Sequence, residues 1–137
     1  MRLVAAAAIG ISAGLRSQTP SGVLAVADRR GARSWLAASC TLAEFGADLL
    51  PSAPDRTARL PLLGRVIAGF RAGRALGNPD DRLPSAVIAS AAAVAGAFGG
   101  LALRRIAARR FGAVPAALVE DVVAVALAVT AVRIASR

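Results

Sequence analysis

The chain has 137 residues, room for a single domain over 1–137, and carries a formal charge of +9 with 56% apolar but only 4% aromatic residues. Its mean hydropathy is +0.60. So few aromatics and so many alanine runs argue against a soluble packed core, whereas helices in lipid associate by close backbone approach. All 17 basic residues are arginines that punctuate apolar segments, which argues against a nucleic-acid surface and for contact with anionic lipid headgroups.

Five apolar segments follow one another. The first, Leu3 to Ala27, is broken in the middle by Arg16-Ser17-Gln18-Thr19-Pro20. With Arg2 in front and Ala25-Val26-Ala27 behind, it imitates a secretory signal. The stretch from Leu15 to Ala27 is long for a cleavage region and contains Arg16, so the segment is read as retained. The second, Trp35 to Leu50, contains Glu44 and Asp48, together with Cys40, which lies in an apolar run and suits a small packing residue. Leu60 to Leu76, the third, holds Arg65, Arg71 and Arg74. The fourth, Leu83 to Leu103, runs 21 residues without a charge, and at roughly 1.5 Å per residue it matches the ~30 Å hydrocarbon core of a bilayer. The fifth, Val114 to Val132, carries Glu120 and Asp121.

The polar connections are Asp28 to Ser34, Pro51 to Arg59, Gly77 to Arg82 and Arg104 to Arg110, with prolines at segment borders, where a missing amide suits a helix end. The expected architecture is an all-α, polytopic transmembrane bundle of four to five segments, the first broken or re-entrant. A multi-pass protein of the bacterial cytoplasmic membrane fits this pattern.

Small residues recur at four-residue spacing: Ala6, Gly10 and Gly14; Gly69, Gly73 and Gly77; Ala92, Gly96 and Gly100. The spacing puts each triplet on one helix face, where a neighbouring backbone can approach. Glycine costs about 1 kcal/mol against alanine inside a helix, so the all-glycine triplet is the most telling. Segments three and four are expected to be the tightest pair.

Charge inside apolar segments is expensive unless partnered. Arg16, Glu44, Asp48 and Glu120 are the candidate ligand or ion site. Glu44 and Asp48 share a helix face at i,i+4, while Glu120 and Asp121 diverge by about 100° and cannot face one partner together. At the Arg16 break Pro20 removes an amide, and Ser17 and Thr19 can satisfy freed backbone groups. Such a broken helix with a buried charge resembles transporter architecture; equally, segment one ends at Leu15 and Arg16 snorkels to the interface. Arg16 is expected to pair with Glu44 or Asp48 before Glu120. Arg71 and Arg74 lie about 60° apart and are read as snorkelling, with Arg65 pointing elsewhere. Arg104, Arg105, Arg109 and Arg110 form the densest basic loop, facing anionic lipid on the cytoplasmic side. No histidine, nucleophile elbow or phosphate-cradling glycine loop is present, and no catalytic residue, metal or cofactor is expected.

Gly14-Leu15-Arg16 with Thr19-Pro20, the stretch Glu44-Phe45-Gly46-Ala47-Asp48-Leu49-Leu50-Pro51-Ser52-Ala53-Pro54-Asp55-Arg56-Thr57, the glycine-rich third segment and Gly100 to Arg105 together resemble an uncharacterised bacterial membrane family, domain of unknown function 4126. The family's pattern has a basic residue where Leu49 stands and small residues where Arg71 and Arg74 stand. The resemblance implies a polytopic membrane protein and no activity.

Two functions fit. One is a small transport or channel-like protein with its site at Arg16, Glu44, Asp48 and Glu120. The other is an accessory subunit of a larger membrane complex, packing through its glycine faces. If all five segments cross, Arg2, Arg56, Arg59, Arg104, Arg105, Arg109 and Arg110 share one side, and Arg29, Arg30, Arg33, Arg82, Arg133 and Arg137 the other. Seven against six hardly orients a protein: either one segment does not cross, the first as a re-entrant hairpin being favoured, or the protein inserts both ways and pairs antiparallel. A homo-oligomer or larger complex is expected over a monomer.

Overall fold

The computed structural model describes residues 1–27 and 58–137. The second segment, with Cys40, Glu44 and Asp48, lies outside the described residues. Those described form five helices: α1 (Arg2–Leu15), α2 (Thr19–Ala27), α3 (Arg59–Leu76), α4 (Arg82–Phe111) and α5 (Ala113–Ala135).

Local chemistry explains the ends. Helix α1 stops where Arg16 turns extended, φ −143° and ψ 111°, with its amide still donating to the Ser12 carbonyl. Helix α2 then starts with Pro20 in its first turn, where the missing amide is not needed. Pro61 and Pro84 sit likewise in the first turns of α3 and α4. Arg104 to Arg110, expected as a loop, is instead the end of the 30-residue α4. Alanine, leucine and arginine are good helix formers and nothing breaks the run before Gly112.

Gly112 stands between α4 and α5 at φ 91°, ψ 161°, backbone that essentially only glycine adopts. Gly112→Ala is therefore expected to lower stability by about 1–3 kcal/mol, measurable by denaturant titration in detergent micelles. An unchanged midpoint would show that the turn has other ways to close.

Helix α1 lies at the centre, against α3, α4 and α5. It runs parallel to α4, since Gly10 meets Ala89 and Gly14 meets Ala93 further on. Helices α3 and α5 run the other way: Gly69 and Gly73 meet Ala89 and Ser85 in descending order, and Ser12 and Arg16 reach Ala124 and Asp121. Leu24 packs against the cluster of Ala5, Ala6, Ile9, Ala72 and Leu76, so α2 turns back along the bundle and fits between α3 and α5. Arg2, which donates to the Leu76 carbonyl at 3.3 Å, consequently shares an end with Arg82 and Arg133, opposite Arg59 and Arg104.

The α1–α4 contact is the most extensive, with the expected tightest pair, α3–α4, second. The reason is visible in both partners. Gly10 and Gly14 of α1 face α4 backbone, and Gly96 of α4 faces the Ile11 backbone at 2.6 Å from an added Cβ. Gly100 lies under Leu15, while Gly77 belongs to the α3–α4 turn beside Arg82.

Buried positions are mostly alanine, and the large apolar side chains face outward: Leu83, Phe98, Leu103, Leu118 and Val122 are all more than half exposed. Helices α4 and α5 are the two long and apolar enough to cross a membrane, about 45 and 35 Å by helical rise. Helix α1 has 14 residues, about 21 Å and too short to cross a core of ~30 Å. Helix α3 is interrupted by Arg65, Arg71 and Arg74. Two helices rather than four or five thus meet the requirement among the described residues.

Candidate functional site at the helix break

A helix ending inside a bundle leaves carbonyls without amides. At the end of α1 the Gly14 carbonyl accepts from Arg65 Nε of α3 at 3.0 Å, a guanidinium at the negative end of the helix. Arg65 also donates to Pro61, one turn back in α3, at 3.3 Å, and is only 6% exposed. It points away from the exposed Arg71 and Arg74, as the helical spacing predicts, and into the bundle. Arg65 precedes Gly69 and Gly73 by four and eight residues, so the spacing that marks the packing face already includes it.

Arg16, 1% exposed, forms an ion pair with Asp121 of α5, its Nε donating to Oδ1 at 2.6 Å. Snorkelling to an interface is thereby corrected: the side chain turns inward. Glu120, expected as the α5 acid for Arg16, instead accepts from Arg104 of α4 at 3.4 Å. The two acids diverge around α5, so α1 claims one and α4 the other. Arg104, expected to face anionic lipid, contacts Glu120, while Arg105, Arg109 and Arg110 are exposed. Glu44 and Asp48 lie outside the described residues.

One turn below, the Ser12 hydroxyl donates to the Ala124 carbonyl at 2.7 Å, fixing α1 on α5. Thr19 was expected to satisfy freed backbone, but its buried hydroxyl has no hydrogen-bond partner among the described residues. Beside Glu120 lies a cavity of about 140 Å³, bounded by Leu15, Gly100, Arg104, Glu120 and Val123 among others. Gly100 also lines it, and an added Cβ there would run into the Leu15 side chain while only touching Glu120 Oε1 at 3.5 Å. Chemically, the layer offers two acid–guanidinium contacts at different tightness, a hydroxyl and a helix break. Among the described residues no three histidine, cysteine or acidic side chains gather as they would around a metal ion.

Comparison with known proteins gives no match to a family model, a curated protein or a solved structure.

Proposed function

We propose that this chain is a multi-pass protein of the bacterial cytoplasmic membrane that conducts or exchanges protons or small inorganic ions through the polar layer at the α1–α2 break. The carrying observation is a fully buried Arg16, paired with Asp121, exactly where a helix is interrupted inside an alanine- and glycine-packed bundle. Buried charge at a broken helix is how transporters bind ions. The outward display of leucine, valine and phenylalanine supports lipid as the surroundings. In that reading α4 and α5 cross and α1–α2 is a re-entrant hairpin. We place the chain, by the motifs named above, with domain of unknown function 4126. No enzymatic role is proposed.

The cavity of about 140 Å³ falls well below the ~300–1,000 Å³ of organic-ligand pockets, which is why the proposed cargo is small. Arg16, Asp121, Glu120 and Arg104 would form the path, with Glu44 and Asp48 joining from the second segment. The accessory-subunit reading loses its proposed interface, because Gly10, Gly14, Gly69, Gly73 and Gly96 are covered within the chain. Self-association is retained, on other faces.

The test has two steps. Carbonate washing should leave the protein in the membrane pellet. Liposomes containing the purified chain should then dissipate a proton, sodium or chloride gradient faster than empty ones, and Glu120→Gln should slow this at least tenfold, the scale of about 1.4 kcal/mol. Release by carbonate would defeat the membrane reading. Well-folded protein that moves none of the three ions would defeat transport.

A further inference from the structure

Arg71 and Arg74 from α3 and Arg82, the first residue of α4, bound one open groove of about 410 Å³ with Ala75. A second depression shares Arg74 and Arg82 and adds Phe70, Asp80 and Leu83. None of the three arginines forms a salt bridge among the described residues; Asp80 lines the second depression and Asp81 directly precedes Arg82, but neither lines the first groove. Arginines that merely snorkel diverge toward water. Here like charges from two helices converge on one groove, an arrangement that an anion relieves. From the groove, exposed Leu83 and Val87 continue down α4, where the uncharged stretch begins.

We propose that this groove binds the headgroup phosphate of an anionic phospholipid, with the guanidiniums on the phosphate oxygens and an acyl chain along Leu83 and Val87. A phosphodiester accepts paired hydrogen bonds from guanidinium, which a lone ammonium cannot match. The position suits the partner: Arg82 opens the membrane-length helix, and Arg74 and Arg71 lie within two turns of the end of α3, about the depth of the headgroup layer. Arg105, Arg109 and Arg110, at the opposite end, all come from one helix, with Arg105 and Arg109 on one face at i,i+4 and Arg110 turned about 100° from Arg109. The proposal rests on the membrane reading above and is independent of transport.

Native mass spectrometry of the full chain in detergent, titrated with phosphatidylglycerol or phosphatidylcholine, tests it. Wild type should retain phosphatidylglycerol preferentially. Each arginine replaced by glutamine should weaken that retention about fivefold, and R71Q/R74Q/R82Q about a hundredfold. R71K/R74K/R82K, which keeps the charge, should lose less, and R105Q/R109Q/R110Q should keep the preference. Added inorganic phosphate should leave the lipid bound. Equal retention of the two lipids by wild type, or a lysine variant as weak as the glutamine one, would overturn the site. So would displacement by inorganic phosphate, which would assign the groove to free phosphate. Release by carbonate would instead strike the membrane reading itself.

Discussion

Gly14→Val is expected to separate α1 from α4 and to lower stability by about 3 kcal/mol or more. A Cβ on Gly14 overlaps the Ala93 carbonyl and stands 2.7 Å from the Ala97 nitrogen and 2.8 Å from the Gly96 Cα. All three obstacles are backbone, so no side chain can swing aside. Ordinary overpacking costs about 1–3 kcal/mol because neighbours shift a little; here the shift must move a helix. Gly64 and Gly99 have nothing within 4 Å of an added Cβ. Gly64→Ala and Gly99→Ala should therefore be neutral or gain up to about 1 kcal/mol from better helix propensity. Unfolding by steric trapping or detergent titration reads all three. A Gly14→Val protein within about 0.5 kcal/mol of wild type would show that α1 does not pack on α4 as described.

Removing one member of the Arg16–Asp121 pair should be comparably severe. Either Arg16→Met or Asp121→Leu breaks the pair by removing one side of it, a loss of up to about 3–5 kcal/mol for buried pairs. Arg16 is the more deeply buried, at 1% exposed against 18% for Asp121, and makes contacts beyond this pair, so Arg16→Met, which removes all of them, should cost the more. The double variant R16M/D121L removes both charges and should cost about 1–3 kcal/mol less than the sum of the singles. A double-mutant cycle in micelles measures that difference. Additivity to within about 0.5 kcal/mol would mean the two groups touch without depending on one another.

Much of the local structure was legible because it depends on near neighbours. The uncharged run from Leu83 to Leu103 needs only composition to make a long helix, and Gly14-Leu15-Arg16 followed by Pro20 needs only backbone chemistry to interrupt one. In the basic stretch Arg104 to Arg110 charge density suggests a loop, yet the stretch is helical. Arginine propagates a helix well, and Gly112, at φ 91°, is the residue that ends it.

By itself, then, the sequence determined the helices of the described residues, the break at Arg16, and the faces on which glycines allow close approach, since periodicity and propensity act within a few residues. Tertiary structure alone decided which partners meet. Asp121 rather than Glu120 reaches Arg16, and Arg65 caps α1 at Gly14. Glycines of α1 and α4 close on one another. Each of these turns on the rotation of one helix against another, where 100° separates adjacent residues and no local spacing records the angle.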